Sequence, residues 1–529
     1  MYQPGTASDY HDLLEQLIQV ATSDSLSSVA VNSGGTGYVV DDILTITNTG
    51  ATFTHEVKLR VLAVGGSGDI TSLRIEEGGA YTADPSTTTG NALVGGTGSG
   101  GTADLTFDAT GWTVKRRSRK AVSATVASGG SGYSVNDVLT LLVEDALGQT
   151  TAARFTVTAV SGSAVSTVSL LTAGLYEKEH SSPTDITTSV APAGGTGATL
   201  NVTFGNATAQ DERVVILEGN STPLPLVGIR VYTGAGATTA TTIRNWSLNG
   251  FTGFNNGLVY SQQPGISPGD SRVLATGGAY VPLRDFDASH PIDFGFTIDN
   301  RRIVMWAQVR NATVTHFASM YIGLMDPFGT AAEVPYPIYI CGCTSRFNAV
   351  YSDTDIARMT GLTEVIGRTG SPGPGWLRRV DNEWQEVRNS NGSDGGTPSR
   401  SVDQQYMVYP AGLGIDYNVV VNEDSLAGDG DFDWQDIIPA TGVPGSDTYK
   451  FYGAPGTTPT YELEQATVFS TDTTEAEWEM KGELNGVYWV SVAPGGIERD
   501  TALIGSERYT IIPNGNRKFD WTYMAIRQS

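Results

Sequence analysis

Cysteine, histidine and charge are all scarce in this sequence. Its two cysteines, Cys341 and Cys343, exclude a disulfide framework, and their spacing of two puts both on one face of a strand as reduced thiols. Five scattered histidines offer no pair at the spacing of a structural zinc site. Charged residues make up 17% of the chain, against about 25% in an average globular protein. The few charges are unbalanced, 32 basic against 56 acidic, for a net charge of −24. That field repels nucleic acid and anionic lipid over most of the surface. No apolar run approaches the ~18 residues of a membrane span, and no basic stretch followed by an apolar one opens the chain. The expectation is a protein that folds in a cytoplasm, without membrane insertion and without nucleic-acid contact.

What the chain does have is glycine, 64 residues of it, with 39% apolar residues in clear alternation. Such a composition is ordered, and 529 residues allow several separate cores. One segment is written twice, at 29–107 and 122–204. Gly34, Gly35, Gly37, Tyr38, Asp42 and Leu44 recur as Gly129, Gly130, Gly132, Tyr133, Asp137 and Leu139, always at an offset of 95. Duplication of this kind signals architecture before chemistry. Short β-branched runs separated by turns describe a small antiparallel sandwich or barrel in each copy. The glycines supply positive φ in a tight turn, the tyrosine covers it, and Asp42 and Asp137 accept backbone amides to close it.

The first 25 residues read differently. Tyr10, Leu13, Leu14, Leu17 and Ile18 fall at helical spacing, Thr6 with Asp9 makes a capping box, and Pro4 with Gly5 precedes it as a stop. A helix so short needs its apolar stripe covered, by the first repeat or by another subunit. Between the repeats, Lys115, Arg116, Arg117, Arg119 and Lys120 read as a solvated linker or a contact for an acidic neighbour. The expected organisation is mainly β: a docking helix (1–25), repeat module 1 (26–112), a basic linker (113–120), repeat module 2 (121–210) and a larger antiparallel β domain (211–529), with a short helix near 353–359. The stripe Tyr10, Leu13, Leu14, Leu17, Ile18 and the cations Arg116, Arg117, Arg119 are the candidate subunit contacts. Long loops at 370–375 and 389–401 suit functional surface.

Catalytic patterns fail on their details. Gly265, Ile266, Ser267, Pro268, Gly269 has the spacing of a nucleophile elbow, but Pro268 has no amide to offer an oxyanion hole. Gly96, Gly98 and Gly101 fit a dinucleotide fingerprint but lead into a strand, where pyrophosphate requires a helix. Asp429, Asp431 and Asp433 alternate as calcium ligands do, yet Trp434 and Ala440 stand where glycine and glutamate belong. They are the weak metal candidates, with Asp436 or Glu423 as helpers. Arg284, Asp285, Asp287 and His290 form an ordinary charged turn. Asp381 with Glu383 or Glu386 has the residue types of a glycosidase pair. Trp376, Trp384, Trp434 and Trp478 have the surfaces to stack on sugar rings. No catalytic residue and no cofactor is assigned.

The turns Ser33, Gly34, Gly35, Thr36, Gly37, Tyr38 and Ser128, Gly129, Gly130, Ser131, Gly132, Tyr133 resemble the glycine-tyrosine modules of tailed-bacteriophage virion proteins. The opening Ser8, Asp9, Tyr10, His11, Asp12, Leu13, Leu14 is similar to the same group. So are Val281 to Asp285, Arg301 to Val304, Tyr321 to Gly323 and Pro335 to Pro337. The resemblance implies a structural, non-enzymatic component of a tail, neck or baseplate, present in several copies in the virion and contacting itself and other virion proteins. The rival expectation is a tail-tip receptor-binding or glycan-processing protein whose partner is a host surface glycan. If the helix docks between subunits, deletion of residues 1–25 leaves a folded protein that fails to enter particles.

Overall fold

The computed structural model describes residues 1–142, 152–177, 186–191, 194–207, 214–231, 246–267, 279–281, 291–310, 315–342, 375–378, 380–387, 405–410, 462–471, 478–491, 500–504, 507–513 and 522–528. The chain is mainly β, and among the described residues one α-helix accompanies sheets that are antiparallel except where Trp384–Val387 meets Gln405–Pro410. The short helix expected near 353–359 lies outside the described residues.

The chain does not open with a free helix. Tyr2–Ala7 is a strand, paired along its whole length with Ile292–Ile298. Pro4 is tolerated because this is an edge strand, with one side free of ladder bonds. Gly5 is required because any Cβ there would enter the Phe294 ring. Thr6 therefore belongs to the strand, its hydroxyl donating to Asp293 at 3.0 Å, and takes no part in capping. Asp9 alone caps the Tyr10–Ala21 helix, its carboxylate accepting the amides of His11 and Asp12 at 2.8 and 2.9 Å.

The helix lies inside its own molecule. Leu13, Leu14, Leu17, Ile18 and Tyr10 are buried in one core with Trp112, Val215, Leu217, Trp246, Phe294, Phe296 and Met305. The docking stripe is thus corrected to a core stripe, because two sheets of the same chain cover it. The first sheet runs from Tyr2–Ala7 through Ile292–Ile298, Arg302–Arg310, Thr315–Leu324 and Ile338–Cys341 to Glu507–Pro513 and Asp500–Ile504. It curls until its ends meet, Tyr2 Oη standing 3.3 Å from Thr510 Oγ1 and Thr297 Oγ1 donating to the Arg527 carbonyl at 3.0 Å. The second sheet has the order Trp112–Arg117, Val214–Gly219, Leu226–Val231, Trp246–Gly250, Ala279–Val281.

This pairing changes the domain boundaries. Residues 1–21 and 112–117 are parts of the body that 211–529 was expected to form alone, and the basic stretch 113–120 is largely strand where a linker was expected. Each repeat is an excursion from that body and back. Module 1 occupies Asp24–Thr36 to Ser99–Ala109, and module 2 Arg119–Ser131 to Thr196–Asn206. Their cores are separate clusters, around Tyr38, Leu44, Leu59, Val61 and Tyr81 in one and Tyr133, Leu139, Phe155, Val157 and Tyr176 in the other.

The copies agree down to their irregularities. The first strand of each pairs with the last, with bulges after Leu26 and Val31 in module 1 and after Ala121 and Val126 in module 2. Bulges bend and twist a strand, and here they carry Gly34 over the Ile70 carbonyl and Gly129 over that of Val165, where a Cβ would not fit. Tyr81 and Tyr176 close the opposite end. Each is fully buried, accepts a backbone amide (Val57 at 3.2 Å, Ala153 at 2.7 Å) and meets a phenylalanine edge-on.

Two outcomes follow. Leu17→Ala should destabilise the body by about 2–5 kcal/mol, read from the urea midpoint, and deletion of 1–25 should abolish its cooperative unfolding. Burial, with smaller contributions from Glu56 and Asp84, pushes the Tyr81 hydroxyl up to about 12 against the opposing pull of the Val57 amide. A raised folded pKa means stability that is complete below the unfolded value near 10 and lost as pH climbs towards 12. Tyrosinate absorbance and circular dichroism should show module 1 giving way in that window, and Tyr81→Phe should remove the step.

Candidate functional site

Two features inherited from the sequence define candidate sites: the repeated turn and the basic strand. In the turn, Gly35 and Gly37 have φ of +61° and +78°, and Gly130 and Gly132 have +59° and +82°. A Cβ at Gly35 or Gly130 would also strike the backbone of the partner strand, at Ser99 and Thr196. Tyr38 lies under the turn with its hydroxyl accepting the Gly101 amide at 3.2 Å, and Tyr133 repeats this with Ala198 at 3.1 Å. Asp42 accepts the amides of Val39 and Thr97 at 3.1 and 3.0 Å, and Asp137 that of Ser134 at 2.8 Å. The Thr97 amide, ahead of the Val39 amide and the Thr97 hydroxyl, holds the Asp42 carboxyl below its usual range. Those bonds close the loop.

The basic strand works as a clamp. A register shift between Val114 and Arg116 leaves Lys115 outside the ladder and turns Arg116 inward. Arg116 is buried and donates to the carbonyls of Leu258 (2.5 Å), Asn256 (2.6 Å) and Asn255 (3.2 Å), with its guanidinium over the Phe254 ring at 5.1 Å. Lys115 pairs with Glu218 at 3.1 Å, Arg117 with Glu15 of the helix at 2.6 Å, and Arg119 donates to Asn206 at 2.7 Å. Arg116 is therefore corrected from a subunit contact to an internal brace, and Arg117 joins helix to sheet. The four cations, with Ile18, Val114, Asn206 and Asn256, line a half-open cavity of about 350 Å³. Glu15 and Glu218 lie beside it, paired with Arg117 and Lys115.

A neighbouring pair was invisible in the spacing. Glu177, just past module 2, meets Arg230 at 3.4 Å with both side chains less than a tenth exposed. The Tyr260 amide also donates to Glu177 at 3.1 Å, and the Arg230 guanidinium lies 4.7 Å from the Tyr260 ring centre. This fixes the root of module 2 to the second sheet. Fifty-three residues separate the partners, and no motif marks either.

Among the described residues, the remaining candidates do not converge. Asp429, Asp431 and Asp433, with Trp434, Asp436, Glu423 and Ala440, lie outside the described residues, as do Arg284, Asp285, Asp287, His290, Cys343, Pro268 and Gly269. Ser267 is buried, its hydroxyl accepting the Gly250 amide at 3.1 Å. Gly98 packs on the Tyr38 ring, and the residues after it form the strand Ser99–Ala109. Asp381 accepts the Glu383 amide at 3.1 Å in a turn. Trp376 is in the core, and Trp384 donates its indole N–H to the Gly265 carbonyl at 2.9 Å. Cys341 is fully buried, which raises its thiol pKa to about 12. Among the described residues no group of three His, Cys, Asp or Glu side chains is placed to hold a metal, and no helix is long and apolar enough to cross a membrane.

No protein-family model matches the chain, and no curated protein matches it. The clamp itself is directly testable. Glu177→Gln removes the carboxylate charge that faces Arg230 in this buried pair and should destabilise the protein by about 3 kcal/mol, seen as a lowered melting temperature with exposure of the module 2 root to limited proteolysis.

Proposed function

We propose that this protein is a non-enzymatic structural component of a tailed-bacteriophage virion, in the tail, neck or baseplate, acting in several copies. The observation that carries the reading is one β-body bearing two excursions of the same glycine-hinged module. A reacting centre needs converging groups at one place, whereas a duplicated module supplies reach and surface twice over. The glycine-tyrosine turns give the likeness to virion proteins, and symmetric assembly would multiply their contacts. Since the helix stripe is internal, contacts between copies fall to the module surfaces, where Val39, Val40, Ile43 and Val94 of module 1 are exposed. The glycan-processing rival asks for exposed tryptophan platforms, and Trp376 and Trp384 are both engaged within the chain.

Mass spectrometry of purified particles from the phage that encodes this chain should find it in fixed multiple-copy proportion to the other virion proteins. Its presence in the lysate but absence from purified particles would refute the proposal. Reducing-sugar release from host polysaccharide by the isolated protein would favour the rival.

A further inference from the structure

The duplication provides an internal control for one group of charges. In module 1, Arg60 on Lys58–Val64 stands directly opposite Arg74 on Ile70–Glu77. Like charges facing each other across a strand pair repel. Module 2 has Thr156 opposite Ser169 at the same place. Glu76 and Asp41 likewise correspond to Leu171 and Asn136, the latter with the same positive φ as Asp41. The module fold therefore tolerates neutral side chains at all four positions.

In module 1 these charges meet the body. Arg60 grips Glu76 by two bonds of 3.1 Å and reaches Asp41 at 3.2 Å, Arg74 reaches Glu76 at 3.2 Å, and Arg508 from Glu507–Pro513 contacts the same Glu76 carboxylate. Three guanidiniums share two carboxylates, and that of Asp41 is 74% exposed. Arg74 Nε is buried and has no hydrogen-bond partner among the described residues. Desolvation first, then mutual repulsion, lowers the pKa of Arg74 and Arg508. The three side chains remain about a quarter exposed or slightly less, so solvent and small solutes can reach them. The guanidinium fork matches the oxygen spacing of phosphate and sulfate, and a bound anion would answer the surplus charge.

We infer that Arg60, Arg74 and Arg508 form a binding site for a small inorganic oxyanion, phosphate or sulfate, at the junction of module 1 and the body. The site bridges two parts of the chain and has no counterpart in module 2. Calorimetric titration of the full-length protein with inorganic phosphate, repeated with sulfate, in potassium chloride of constant ionic strength tests it. One saturable event is expected, weakened about tenfold or more by Arg74→Ser, which installs the residue module 2 already folds with. Arg508→Gln, in a different part of the chain, should weaken it comparably, and Ser169→Ala should leave it unchanged. Absence of a saturable event in the wild type, or undiminished binding in either arginine variant, overturns the site.

Discussion

The pairing of Tyr2–Ala7 with Ile292–Ile298 is the constraint on which the rest of the molecule hangs. It joins residues nearly 300 positions apart, so everything between must leave the body and return to it. The helix that follows is delivered into the interior, where Leu13, Leu14 and Leu17 complete a core shared by two sheets. A 12-residue helix is marginal in water and gains its stability from this burial. The same geometry makes each repeat an inserted unit with both ends anchored. Anchoring at two strands restricts a module far more than a single linker would.

Within the modules the ruling constraint is close approach of backbones. The bulged first strand folds over the middle of its own module, and only glycine fits where Gly34 and Gly129 cross a carbonyl. Tyr38 and Tyr133 then fill the space beneath and satisfy an amide of the last strand. Turn, bulge and tyrosine form one device, which accounts for their copying as a set at constant spacing.

Charge is used sparingly and placed at joints. The basic strand braces helix, second sheet and the root of module 2, while Glu177 and Arg230 secure that root from the other side. On the module 1 side, arginines cluster at the meeting with Glu507–Pro513. A surface dominated by neutral polar residues and a strong negative net charge leaves these basic joints as local exceptions in sequence composition.

Periodicity and repetition were enough to establish the mainly β class, and they pointed to one helix within the first 25 residues and to a glycine-tyrosine module written twice. Each of those features is local, since a turn needs its glycine within a few residues and an amphipathic stripe is visible in one window. Tertiary structure alone decided that Tyr2–Ala7 is a strand, that Lys115 to Arg117 belong to a sheet, and that the helix stripe is covered from within. A strand containing Pro4 and Gly5 has poor local propensity and exists because Ile292–Ile298 offers it a ladder. Five cations within six residues look solvated, yet Lys115, Arg116 and Arg117 find Glu218, the carbonyls of Asn255, Asn256 and Leu258, and Glu15, all on distant segments. Local sequence sets what a segment can become, and contacts across hundreds of residues select which of those states is buried.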